Sequence, residues 1–232
     1  LIHVIIITET WLKIENKFQI KPYKIIRIDR TDDGGGIVAL LHPSLIIKSI
    51  NKIENFNKKL QAIKIELNNI TVIGIYNTST NHITKTYWEQ TLTTNGPTVI
   101  SGDLNLGIKP HNIRNNEHNN SFLKYLHDQD FRLLNTDEPT RLGAPHQQDT
   151  SPDLTFISES LANQTTWQTF PDTLRSDHFP VIIKINHDNR RPIQKTIHIQ
   201  PKITDWDKFK KDMETYYQEH DYNPNKDNII DI

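Results

Sequence analysis

The stretch VISGDLNLG, residues 99–107, decides how this chain is read. An apolar run gives way to Ser101-Gly102, and then a carboxylate and a carboxamide, Asp103 and Asn105, stand two residues apart. One reading is an ordinary turn, because short Asp and Asn side chains hydrogen-bond their own backbone in loops. The other is a buried strand that carries two polar groups to the lip of a site.

The pattern recurs at four other places. Glu9 follows IIIT, Tyr76 and Asn77 end TVIGIY, Asp153 opens DLTFIS after Ser-Pro, and Asp177 and His178 sit in RSDHFPVIIKI before a final strand. Loops converge on one rim of a sheet where strands end, and binding groups are mounted there. Each residue alone has a plain alternative: a surface acid for Glu9, a turn for Asp153, a capping pair for Asp177 and His178, a core ring for Tyr76. Together they match what phosphodiester cleavage demands, namely a neutralised phosphate, an oriented water and a stabilised leaving oxygen. One or two carboxylates suffice to hold a hard cation such as Mg²⁺, which keeps several of its waters. An Asp beside a His fixes the imidazole tautomer and handles protons.

The surroundings are those of a globular, strand-rich domain. The chain has 232 residues, a formal net charge of −1 and no cysteine, so disulfides and thiolate zinc sites are excluded. A mean hydropathy of −0.62 is polar but still globular, and much of that polarity is uncharged Asn, Thr and Gln. No whole-molecule positive field draws it to nucleic acid, so any such contact must come from a local patch. No apolar run is long enough to span a membrane, and no membrane partner is expected.

β-Branched runs predict strands at 2–8, 23–28, 36–42, 45–50, 62–67, 70–76, 97–101, 154–158 and 180–185. Within 62–67, Ile63, Ile65 and Leu67 alternate with Lys64 and Glu66, which predicts a sheet with one wet side. Asn68-Asn69 then predicts a hairpin turn. Helices are expected at 84–93, at 120–129 with a Phe122, Leu123, Leu126 stripe, and at 204–219 with Thr204 as cap. The polar run 111–120 reads as a loop. Gly34-Gly35-Gly36 lacks the Gly-Lys-Ser/Thr ending of a phosphate loop and reads as a hairpin turn. No pair of histidines has zinc-binding spacing on one element. From about 186 the chain turns basic and Pro-broken, with Lys184, Arg190, Arg191, Lys195 and Lys202 against Asp188 alone over 184–202.

In order along the chain, TETW, DGGGIVALLH, GIYN, GDLN, SPDLTFIS and SDHFPVI resemble the endonuclease/exonuclease/phosphatase superfamily. More narrowly, they resemble the apurinic-type endonuclease domain of non-LTR (LINE-like) retrotransposon polyproteins. The resemblance covers residues 1–186, and GDLN and SDHFP are its sharpest elements. It implies an α/β (α+β) fold, a four-layer sandwich of two packed mixed β-sheets flanked by helices. The chain starts inside a strand, LIHVIII, so the family's first strand, with its Asn near the metal, is expected to be missing from this fragment. Residues 187–232 are expected to be a basic linker and amphipathic helix leading towards a reverse transcriptase.

By motif, the resemblance makes Glu9 the principal ligand of Mg²⁺, with Mn²⁺ as a substitute ion, and sets Asp177 near that metal. Asp103 orients or deprotonates the attacking water, and Asn105 holds the phosphate. Asp153 orients His178, which stabilises the pentacovalent phosphate, and Tyr76 contacts the phosphate or the leaving oxygen. Asn77, Thr140, Arg175 and Ser176 are expected to contact the substrate. The implied activity is nicking of one strand of double-stranded DNA to leave a 3′-hydroxyl that primes reverse transcription. The implied partners are target DNA and, through the downstream polymerase, the element RNA. The implied place of action is the nucleus, after synthesis in the cytoplasm. An apurinic-site repair nuclease, another phosphodiesterase of the superfamily and a catalytically dead binding remnant stand as alternatives.

Overall fold

The computed structural model describes residues 1–30, 34–54, 60–78, 85–106, 108–109, 112–113 and 117–186, and five positions between 207 and 215. The chain divides into two compact units, Leu1–Arg191 and Pro192–Ile232. In the second, positions 207, 208, 210, 211 and 215 are helical, and Thr215 Oγ1 donates to Lys211 O at 3.0 Å. The rest of the helix expected at 204–219, including its Thr204 cap, lies outside the described residues.

The first unit begins with strands β1 (Val4–Thr8), β2 (Lys24–Ile28), β3 (Ile37–Leu41), β4 (Ile47–Glu54), β5 (Leu60–Leu67) and β6 (Thr71–Asn77). Helix α1 (Lys85–Leu92), β7 (Thr98–Asp103), the short β8 (Ile108–Lys109) and β9 (Asn112–Ile113), and helix α2 (Glu117–Asp128) follow. β10 (Phe131–Leu133), β11 (Asp153–Ser158), the one-turn α3 (Glu159–Ala162), β12 (Thr165–Thr169) and β13 (Val181–Ile185) complete it.

The strands form a mixed α/β architecture. Of the four sheets among the described residues, two are the pairs β12-β13 and β8-β9, one has the order β1-β3-β2, all antiparallel, and the largest has the order β10-β11-β7-β6-β5-β4, with β6 and β7 parallel. The last two sheets pack through Ile28, Ile37, Ala39 and Leu41 against Ile63, Ile65 and Tyr76. Gly74 is required at this interface, because a Cβ there would lie 2.8 Å from the Ile6 side chain. On the outer face of the small sheet, the Arg27 guanidinium donates to the carbonyls of Lys13, Ile14 and Asn16, which ties loop 13–16 across it.

The alternation in 62–67 does not leave a wet side. Leu60 and Ala62 pack under α1 and α2 in the larger core, where the Trp88 and Phe122 rings lie 4.4 Å apart and Phe122 meets Phe156 edge-on. Lys64 is buried on this covered face. Its stem lies along apolar surface and its amine donates to Thr93 O at 2.9 Å, just past the end of α1. Burial lowers its pKa, against the opposing pull of Glu66. A long amphipathic side chain thus takes a position that binary patterning assigns to solvent.

The remaining expectations divide. Leu67 N donates to Ile70 O, closing the hairpin at 68–69, and the three glycines lie in the connection between antiparallel β2 and β3. The loop expected over 111–120 is corrected: Asn112 pairs with Lys109, and α2 starts at Glu117, before the expected 120. β12 escapes the sequence reading. It pairs with β13 from Thr165–Ile185 to Thr169–Val181, and Trp167 Nε1 reaches Thr155 Oγ1 at 3.2 Å. Among the described residues no helix is long and apolar enough to cross a membrane.

Candidate active site

Sheet register brings the strand-end polar groups together. Parallel pairing of β6 with β7 sets Tyr76 beside Asp103, and antiparallel pairing of β7 with β11 sets Asp103 beside Asp153. One rim of the larger sheet therefore carries three site residues on adjacent strands. Glu9 arrives from the end of β1 in the other sheet, and the Tyr76 hydroxyl donates to its Oε1 at 2.9 Å. This bond joins the two sheets at the site.

His178 is pinned by a bridge between two loops. Phe179 N donates to Thr140 O and Leu142 N to Asp177 O, both at 2.8 Å. The imidazole Nδ1 lies 2.7 Å from Asp153 Oδ2, and Thr140 Oγ1 donates to the same oxygen at 2.8 Å. Asn135, which the sequence reading missed, holds the strand behind them: its Nδ2 donates to Asp153 O and its Oδ1 accepts from Thr155 N, each at 2.8 Å. No local pattern marks Asn135, since its partners lie 18 and 20 positions away.

Electrostatics distinguish the acids. Asp103 is 2 % exposed, and its Oδ1 has no hydrogen-bond partner among the described residues. Burial first, then the charges of Asp153 and Glu9, push its pKa up to about 7, with His178 and a hydrogen bond from Asn105 opposing. Burial disfavours charge on His178. The hydrogen bond and charge of Asp153, with Asp103 and Asp177 behind it, outweigh this and hold its pKa above the ordinary value. Burial and Glu9 hold the Tyr76 phenol well above its usual range, so it stays a donor.

The two asparagines brace the rim. Asn105 Nδ2 donates to Asn77 O at 2.9 Å, and Asn77 Nδ2 to Leu104 O at 3.0 Å. Glu9 and Asn105 both have left-handed backbone, with φ of 49° and 51°. Such conformations persist in a non-glycine residue only where the surroundings fix them.

Arg175, Ser176 and Asp177 lie on the turn that leads into His178. Asp177, expected beside the metal, is an exposed carboxylate 2.8 Å from Arg141 Nε, and that hydrogen bond lowers its pKa. Arg141, also missed from sequence, directly follows Thr140 and forms a bridge with His178. Ser176 Oγ accepts from His178 N at 3.0 Å, so it shapes the histidine turn. Arg175 is exposed, with a φ of 71°.

The donor set fits a hard divalent cation. Glu9, Asp103 and Asp153 crowd negative charge around one space, and an orphaned carboxylate oxygen lies buried in it. Among the described residues no three His, Cys, Asp or Glu groups stand ready to hold an ion unaided.

The family model described as endonuclease-reverse transcriptase matches residues 70–182. Among solved structures, the endonuclease domain of TRAS1, a telomere-specific non-LTR retrotransposon, is similar at 15 % identity and a TM-score of 0.54, over 79 % of this chain and 85 % of that one. An AP endonuclease from Archaeoglobus fulgidus is similar at 15 % identity and a TM-score of 0.60, over 79 % and 88 %. A 3′-5′ exonuclease, NExo, from Neisseria meningitidis is similar at 11 % identity and a TM-score of 0.59, over 79 % and 89 %. The search of curated proteins gave no match. At these identities the likeness to solved structures is one of fold. The chain thus has the fold of these nucleases, and over residues 70–182 it is similar to the endonuclease-reverse transcriptase family.

Proposed function

We propose that this chain is a Mg²⁺-dependent endonuclease that nicks one strand of double-stranded DNA by hydrolysis and leaves a 3′-hydroxyl. Within a retroelement polyprotein, that end primes reverse transcription of the element RNA by a downstream polymerase, so the domain acts in the nucleus. The observation that carries this reading is the Thr140–Asp153–His178 chain of hydrogen bonds beside a buried Asp103. The family match, described as endonuclease-reverse transcriptase, supports the polyprotein setting.

The residues divide the chemistry as follows. Asp153 binds Nδ1 of His178 and so leaves Nε2 to meet the phosphate. Asp103, with a pKa near neutrality, takes a proton from the attacking water at physiological pH. The phosphorus–O3′ bond breaks as the water oxygen attaches, and the neutral Tyr76 hydroxyl is a donor available near the leaving oxygen. Asn105 and Asn77 fix the rim on which the phosphate rests. Glu9 would hold a divalent cation, which would supply charge neutralisation of the phosphate.

The test is nicking of supercoiled plasmid with Mg²⁺ and with chelator, followed by extension of the nick by a DNA polymerase without end repair. Expected are Mg²⁺-dependent nicks that extend directly, and their loss in Asp103→Ala and His178→Ala. A protein that binds the plasmid but never nicks it, with Mg²⁺ or Mn²⁺, is the binding remnant instead.

A further inference from the structure

Trp11 stands two residues beyond Glu9 and is 58 % exposed, an unusual position for so large an apolar ring. The backbone holds it there firmly. Its φ is 56°, its N–H donates to Gly35 O at 3.1 Å, and Thr10 N donates to Gly36 O at 3.2 Å. Gly35 in turn lies against the Tyr76 ring, which a Cβ at that position would approach to 3.4 Å. Trp11 is thus fixed to the wall of the site. The Arg30 guanidinium sits 4.5 Å from the ring centroid and covers one face. The exposed remainder of the ring is an aromatic platform backed by a cation.

A second observation concerns charge. Over residues 10–30 the chain has six Lys and Arg against two Asp and Glu, although the whole chain carries −1. Lys13, Lys17, Lys21 and Lys24 are all exposed. Loop 13–16 is tied to Arg27 on β2, so the basic groups run from Trp11 at the site end of the small sheet towards Lys24 at its far end. The strand alone spans about 13 Å, comparable to a few successive phosphates of one nucleic-acid strand.

We propose that Trp11 stacks on an unpaired nucleobase next to the scissile phosphate, while Lys13 and Lys17 contact phosphates of the same strand. This rests on the nuclease reading and specifies its substrate: DNA with an unstacked base at the cleavage position. Aromatic rings and basic grooves recur together wherever single-stranded bases are held.

The test uses the full chain in chelator, so that nothing is cut, with two labelled duplexes. One carries a single unpaired 2-aminopurine, and the other is fully paired. Anisotropy reports affinity, and 2-aminopurine fluorescence reports stacking. Trp11→Ala should bind the bulged duplex roughly 5- to 100-fold more weakly and lose the quenching, with little change on the paired duplex. Trp11→Phe should retain most of both. Lys13→Glu with Lys17→Glu should keep the quenching at saturation and reduce the slope of log affinity against log salt by about 2. Trp11→Ala with parental affinity and quenching overturns the proposal, as does an equal loss on both duplexes. If the parent nicks plasmid while Trp11→Ala behaves as parent, only this inference falls. If the parent binds neither duplex nor plasmid, the nuclease reading falls with it.

Discussion

Replacing Asp103 with Asn should abolish nicking and at the same time stabilise the fold, by an amount set by pH. The buried carboxyl keeps its proton to about pH 7, whereas its ordinary value is 3.8. Between these values the folded state binds more protons than the unfolded one, so stability falls as pH rises from about 4 to 7. Three pH units at about 1.4 kcal/mol each set a ceiling of about 4 kcal/mol at pH 8. An amide removes that penalty but must satisfy its own buried polar atoms, which costs about 1–2 kcal/mol. The net gain is about 2 kcal/mol, or roughly 4–8 °C in Tm for a domain of this size. The assay is thermal or urea unfolding of parent and variant in chelator from pH 4 to pH 8. By pH 4 the folded carboxyl is protonated and the unfolded one partly so, which leaves a penalty of only about 0.6 kcal/mol, so the amide's own cost should turn the gain into a loss of about 1 kcal/mol. Adding Mg²⁺ at pH 8 should raise the parent more than the variant, since an ion that binds only the folded state stabilises by mass action. A variant less stable than the parent at every pH, by a constant amount, would refute the reasoning. Asp103 would then be a structural hydrogen-bonding group.

Three further outcomes follow from the same geometry. Asp153→Asn should lower the pKa of His178, read by NMR titration of the ring, because the hydrogen bond and charge that raise it are removed. Nicking by this variant should fall roughly 10²- to 10⁴-fold, the usual range for disturbing a positioned proton-transfer pair. Gly102→Ala should cost several kcal/mol in urea unfolding, because Gly102 has a φ of 148° and a Cβ there would run into Ile75 O on the parallel neighbour strand. Phe122→Ala should cost about 3–5 kcal/mol by emptying the contact between α1, α2 and the larger sheet, with no change in the pH dependence of nicking.

The strands and the acids at their ends were legible because both are local. β-Branched runs mark pleated, buried backbone, and a short polar residue at the end of such a run marks a rim. What sequence could not supply was any relation set by topology. Lys64 alternates like a solvent-facing residue, yet the crossover after β6 brings α1 over its face. Asp177 directly precedes His178 and is expected near the metal; the partner it meets, Arg141, lies 36 positions away in sequence. β12, TTWQT, has too little apolar character to announce a strand and forms against β13.

The left-handed backbone at Glu9 and Asn105 is the sharpest case of what sequence withholds. Glycine or a turn residue announces such a conformation; Asn105 is such a residue, and Glu9 is not. It exists because contacts distant in sequence impose it: Tyr76, 67 positions from Glu9, holds the carboxylate, and Asn77 holds the Asn105 amide. Local preference and tertiary structure therefore disagree at Glu9, whereas Asn105 takes a conformation that Asn tolerates. A sequence shaped for folding alone would favour glycine at Glu9. A carboxylate in its place gives up that freedom and gains a group able to bind a cation, which glycine's side chain cannot do.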